Sequence, residues 1–246
     1  MSPDAERPIP ITPDMLLGRR VDFERRMRRF PPMTVAIVIV LAVVFLIGPD
    51  PIEYPIEAGA LLRDQVVEGE YWRLLSATVL HVTPDHLAGN AIALFILGMV
   101  CEHAFGTRQF VVLYVASALA GSLVSVLVSA GPSVGASGAI FGLQGAAIVL
   151  FYRHRRELLV RDKRIGFVLL AWAILSVTGG LVTPYIDNGA HIGGALAGAL
   201  LARVLHPVVL SQPAPERYAG VMRACFWISV VVVGYSLMAW IGLSSL

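Results

Sequence analysis

Charge is scarce in this chain: of 246 residues only 15% are Asp, Glu, Lys or Arg, against roughly a quarter in an ordinary soluble domain. That deficit excludes a soluble globular domain, and the 57% hydrophobic content points to a multi-pass membrane protein. Only two cysteines occur, Cys101 and Cys225, both near expected cytoplasmic helix ends, so a disulfide framework is not expected. No His-Glu-x-x-His pattern is present, which removes the zinc-protease arrangement on a helix. No aspartate falls in the middle of an apolar run, which removes an aspartyl pair. No A-x-A-like site follows the first apolar run, so that run is expected to stay in place as an uncleaved anchor.

What the chain does contain is apolar sequence of membrane-crossing length. About 20 apolar residues span the hydrocarbon, and seven stretches qualify: 32–48, 84–99, 110–130, 134–152, 165–182, 189–201 and 226–243. The second and sixth are short or glycine-rich and rank lowest by hydropathy. The net charge of +2 and pI near 8.7 could suggest an anionic partner. The basic residues, however, sit on alternate loops. With Arg63 and Arg73 as the two exceptions, they all fall in the N-terminal tail and in the loops on its side. This is the positive-inside pattern, which puts the N-terminus in the cytoplasm and, with seven spans, the C-terminus outside. A nucleic-acid partner is unnecessary. The expected organisation is a basic tail over 1–30, a six-helix core over 31–205, a proline-containing cytoplasmic linker over 206–221, and a further helix over 222–246.

The first outer loop, 49–83, carries Glu53, Glu57, Asp64, Glu68 and Glu70 alongside Ile56, Leu61, Leu62, Tyr71 and Trp72. That mixture suits a structured piece at the membrane interface. Tyr71 and Trp72 would anchor at headgroup level, with Arg73 held by nearby polar groups. The second apolar run opens with His81, His86 and Asn90. The third and fifth are nearly free of polar side chains, which suggests packing and gating. The sixth reads Ala190-His191-Ile192-Gly193-Gly194, with Gly194 and Gly198 on the face of His191. A GxxxG stripe of this kind lets two backbones approach closely. The fourth run opens with Gly135-Ala136-Ser137-Gly138 and bears a similar stripe, Gly138, Gly142 and Gly145. The fourth and sixth spans are therefore expected to touch, bringing Ser137 to His191.

Depth supports this grouping. At ~1.5 Å rise per residue, Ser137 lies ~24 Å from Arg153, His191 ~18 Å from Arg203, and His86 and Asn90 ~24 and ~18 Å from Glu102. All four fall in the outer half of a core about 30 Å thick. Polar side chains in mid-membrane are costly and point to function. Three chemistries compete. Ser137 and His191 would make an activated nucleophile, with His86 and Asn90 donating to a developing oxyanion. His81, His86 and His191 could ligate haem or a metal. Alternatively the group is polar glue between helices. Proteolysis uses Ser137, Asn90 and the small-residue turn, whereas haem or metal leaves them idle. Asp187 stands four residues before His191, but Gly189 breaks the register there, so a dyad is expected and not a triad.

These residues carry a resemblance. Gly135-Ala136-Ser137-Gly138, Ala190-His191 with Gly194 and Gly198, His81 and His86 with Asn90, and Tyr71-Trp72-Arg73 together resemble the rhomboid intramembrane serine proteases, over Pro31 to about Leu205. The resemblance implies an all-α polytopic bundle with a six-helix core, here in the form with one extra C-terminal helix. It implies Ser137 as nucleophile and His191 as general base and then acid, with no cofactor. His86, Asn90 and the Ser137 N–H would form the oxyanion hole. Phe141 falls where many members carry a tyrosine that stacks on the catalytic histidine, and His81 matches a residue bracing the outer loop. Trp72, Arg73, Gly135, Gly138, Gly194 and Gly198 would support the site. The implied partners are membrane-protein substrates and the bilayer of the cell membrane. A catalytically silent rhomboid-like client binder shares the fold but lacks the serine or the histidine, and this chain has both.

Overall fold

A computed structural model describes residues 21–47, 59–129, 131–183, 186–210 and 214–243. Arg7, Arg19 and Arg20 of the tail and Glu53, Ile56 and Glu57 of the outer loop lie outside the described residues. The described residues are helical apart from a two-residue parallel pair, β1 (Val21–Asp22) with β2 (Leu158–Leu159), and an isolated antiparallel bridge between Leu61 and Ser133. In chain order the helices are α1 (Phe23–Met27), α2 (Pro32–Ile47), α3 (Arg63–Val67), α4 (Arg73–Ser76), α5 (Pro84–Phe105), α6 (Thr107–Val128), α7 (Ser137–Arg153), α8 (Ile165–Val182), α9 (Asn188–Val204) and α10 (Glu216–Leu243).

Seven of these correspond to the seven apolar runs. Five are long and apolar enough to cross a membrane, and α2 and α7 are shorter apolar helices. The second and sixth runs are the least hydropathic of those five, as expected, yet both form helices of spanning length. The second run, which ends at Met99 on apolarity, continues as helix to Phe105 because its polar inner end is hydrogen-bonded: His103 Nδ1 lies 2.7 Å from the Met99 carbonyl. The 17 residues of α7 rise only ~25 Å, less than the hydrocarbon thickness of about 30 Å. That shortness matters for its first residue, Ser137.

At the centre, α7 packs against α9, α6, α5 and α8. In α8, by contrast, only Leu169 and Gly180 are buried. The seventh helix, α10, starts at Glu216, inside the stretch expected as a linker, and lies against α6 and α4. Its inner end is tied by the Tyr218 hydroxyl, which donates to Gln109 Oε1. Near its outer end, Trp240 is buried against Trp72 and Leu80. At the C-terminal end of α7, Phe23 is fully buried with its ring edge-on to Phe151 at 5.8 Å. The last part of the basic tail thus folds onto the C-terminal end of α7.

One clamp sets the position of α2. Glu102, 5% exposed near the end of α5, accepts from Met33 N at 3.1 Å, Thr34 N at 2.9 Å, Thr34 Oγ1 at 2.8 Å and Thr107 Oγ1 at 3.1 Å. A carboxylate at a helix N-terminus satisfies N–H groups that have no intrahelical partner and complements the helix dipole. Replacing it strands those donors where little water reaches. Glu102→Ala is expected to lower the unfolding free energy by about 3 kcal/mol, since hydrogen bonds to charged groups are the stronger class. Denaturant titration in detergent micelles measures the loss; an unchanged midpoint would contradict the clamp.

Candidate active site

The site starts from how closely two backbones can approach. A Cβ built on Gly194 would overlap the Gly138 carbonyl, and one on Gly198 would overlap the carbonyl of Gly142. With glycine at both positions, α7 and α9 run against each other backbone to backbone. This contact brings the first turns of the two helices together. Ser137 is the first residue of α7, and His191 lies in the first turn of α9.

Ser137 Oγ lies 2.9 Å from His191 Nε2. With the imidazole proton on Nδ1, the hydroxyl donates to Nε2, the arrangement in which the ring can accept the serine proton. The Phe141 ring, one turn along α7, stacks on the imidazole with centroids 4.1 Å apart and planes 12° from parallel. His191 is 9% exposed, and its Nδ1 has no hydrogen-bond partner among the described residues. No carboxylate therefore completes a hydrogen-bonded triad.

The other wall comes from the first turns of α5. Thr83 caps this helix, its side chain accepting from His86 N at 3.2 Å, and Pro84 occupies the start of the helix. Asn90 is buried and its Nδ2 donates to the His86 carbonyl at 3.0 Å. Gly135 has φ +121°, a left-handed value that favours glycine. A Cβ there would sit 2.7 Å from His86 Cε1, 2.8 Å from His86 Nε2 and 3.7 Å from Asn90 Nδ2. His86 and Asn90 therefore lie against the backbone two residues before Ser137. At the start of α7, the N–H groups of Ser137 and Gly138 have no intrahelical acceptor and carry the partial positive charge of the helix end.

His81 is 2% exposed and meets His86 edge-to-face at 5.0 Å. It backs the site without touching the Ser137–His191 pair. Trp72 and Arg73 are further out. The Arg73 guanidinium pairs with Glu70, donates to the Ala60 carbonyl at 2.9 Å and lies 4.5 Å from the centre of the Trp72 ring. Headgroup-level anchoring does not hold for Trp72, which is 5% exposed, because Leu80 and Trp240 enclose it. Tyr71, 63% exposed, is free to take that role. Among the described residues no three His, Cys, Asp or Glu side chains gather as metal ligands.

One polar group, weighed in the sequence only as a partner for His191, has a different role. Asp187 caps α9, accepting from Ala190 N at 3.0 Å, and also accepts from Ser129 Oγ at 2.7 Å and from Ser125 Oγ. Burial opposes its charge, yet the hydrogen bonds from Ser125, Ser133, Ala190 N and Ser129 outweigh it and hold the carboxyl below its usual value. The available signal was Ser125 and Ser129, four residues apart at the C-terminal end of the third apolar run.

Comparison with known proteins gives this arrangement a family. The family profile described as Rhomboid domain matches residues 68–208, which include both walls of the site. Rhomboid protease GluP of Bacillus subtilis (strain 168) is 37% identical over 147 residues, 60% of this chain and 28% of the relative. RHOMBOID-like protein 5 of Arabidopsis thaliana is 43% identical over 156 residues, 60% of this chain and 48% of the relative. Rhomboid protease AarA of Providencia stuartii is 31% identical over 169 residues, 58% of this chain and 59% of the relative. The chain thus spans less than two thirds of the length of each of these relatives. The profile covers more than half of the chain, including the helices that carry Ser137, His191, His86 and Asn90, and the chain belongs to the rhomboid family.

Proposed function

We propose that this protein is an intramembrane serine endopeptidase that hydrolyses peptide bonds within or near the outer end of substrate transmembrane helices. The observation that carries the reading is the 2.9 Å contact between Ser137 Oγ and His191 Nε2, made inside a bundle of apolar helices. Two of the relatives above are named rhomboid proteases. In this reading His191 takes the hydroxyl proton as Ser137 attacks the scissile carbonyl, and then gives it to the leaving amine. Phe141 fixes the plane of the ring through both transfers. The negative oxygen of the tetrahedral intermediate is met by His86, Asn90 and the Ser137 N–H, donors already held in place before the reaction. Gly135 and Gly138 keep side-chain bulk away from that oxygen, Gly194 and Gly198 hold the two helices at contact distance, and His81, Trp72 and Arg73 support the outer wall. No cofactor is required by this chemistry.

Residues 31–205 form the catalytic core in this reading, with the basic tail and the seventh helix as additions. The protein resides in the cell membrane with its N-terminus cytoplasmic and its C-terminus outside, the orientation the basic residues favour. The hydrolytic water then comes from the outer side. The substrate is a membrane protein whose helix must unwind locally, because a helical peptide bond is shielded and already hydrogen-bonded. Helix-weakening residues near the outer end of the substrate are therefore favoured.

Reconstituted protein incubated with a panel of single-span membrane proteins tests the assignment. The wild type is expected to cleave segments with glycine near their outer end faster than uninterrupted helices, and Ser137→Ala to cleave none. Cleavage by Ser137→Ala would overturn the reading. Asn90→Ala is expected to slow cleavage about 10²-fold, the usual loss for one oxyanion donor, while the unfolding midpoint stays close to wild type. A wild-type rate would remove Asn90 from the hole.

A further inference from the structure

His191 has no hydrogen-bonded acid, yet a carboxylate stands at the start of its helix. The Asp187 carbonyl accepts from His191 N at 3.2 Å, closing the first turn of α9 around the residue. The Asp187 carboxylate accepts from Ala190 N at 3.0 Å in the same turn. It is also tied across the helix interface to Ser125 Oγ on α6 and, at 2.7 Å, to Ser129 Oγ, the residue that caps the C-terminal end of α6. The turn that carries His191 is therefore attached to a second helix by its N-cap. Gly189 packs close in the same place, where an added Cβ would meet Val128 Cγ2 at 2.6 Å and Ser129 Oγ at 3.0 Å. That closeness leaves the start of α9 little room to shift against α6.

On the basis of the Ser137–His191 reading, we infer that Asp187 is a positioning residue for the dyad, holding the first turn of α9 against α6 and setting a fixed negative charge one turn from the imidazole. The carboxylate acts through the backbone and through its field, with no hydrogen bond to the ring. Its charge favours the imidazolium that forms when His191 takes the serine proton, and the partly buried setting screens that field less than water would. The other titratable group facing His191 among the described residues is His86, from α5. Elements packed against α9 add no further charge there. On α6, Arg108 and Tyr114 lie toward the other end of the helix, as do Tyr152 and Arg153 on α7, and α8 carries no titratable residue.

The test follows the rate at which full-length protein in detergent micelles is labelled by a fluorophosphonate, measured from roughly pH 4 to pH 9, a range that brackets histidine titration. Asp187→Asn keeps an oxygen that can accept from Ala190 N but removes the charge. It is expected to label about tenfold more slowly on the plateau, through misplacement and the lost field. The acid limb of the profile is expected to move to lower pH, because a neighbouring anion no longer favours protonation of the base. The thermal unfolding midpoint, read in parallel, reports on the cap alone. A wild-type plateau and limb in Asp187→Asn would overturn the inference, as would a loss of stability with the acid limb unmoved. Ser137→Ala separates the two levels of the argument. Labelling that persists in Ser137→Ala contradicts the dyad itself. If Ser137→Ala abolishes labelling and Asp187→Asn leaves it unchanged, the role given to Asp187 alone is contradicted.

Discussion

The contact on which the rest depends is the backbone approach of α7 and α9. Gly194 against the Gly138 carbonyl and Gly198 against that of Gly142 leave no space for any other residue. In lipid there is no hydrophobic force to drive two apolar helices together, so close van der Waals packing between small residues carries the association. The same approach sets the site, because the two stripes lead directly to Ser137 and His191. Side chains of ordinary size on either stripe would move the hydroxyl out of reach of the imidazole.

A second constraint governs everything polar in the bundle: a donor or acceptor away from water needs a partner. The described residues meet it largely by tying one element to another. Glu102 closes the start of α2 onto α5. Ser122 Oγ donates to the Leu74 carbonyl at 2.7 Å, joining α6 to the outer loop, and Gln144 Nε2 donates to the Leu169 carbonyl at 2.8 Å, joining α7 to α8. Arg63 donates to the Val126 and Leu127 carbonyls at the outer end of α6, where a cation complements the helix dipole. Arg63 and Arg73, the two exceptions to the basic pattern, are thus both engaged. The loosest spanning helix is α8, most of whose side chains face outward.

Much of this was legible in the chain because bilayers impose strong rules. Run length located all seven apolar helices, five of them long enough to cross a membrane, and glycine spacing indicated which two would touch. His86, Asn90 and Ser137 could be placed in one layer by rise per residue alone. Hydropathy ended the second run too early, at Met99, since it cannot see that Glu102 and His103 are hydrogen-bonded and so tolerated at a buried helix end. The burial of Trp72 was hidden for a different reason. It depends on Trp240, 168 positions later, and no local pattern reports such a contact. Asp187 was visible as a neighbour of His191 but not as a cap tied to α6, because that role rests on serines from another helix.

The central claim is that Ser137 is a nucleophile activated by His191 inside the membrane. Its most direct measurement is peptide mapping by mass spectrometry after reaction with a fluorophosphonate. The account predicts one phosphonyl adduct, on the peptide containing Ser137, and its loss in His191→Ala. An adduct on another residue, or one on Ser137 that forms equally fast in His191→Ala, would contradict it.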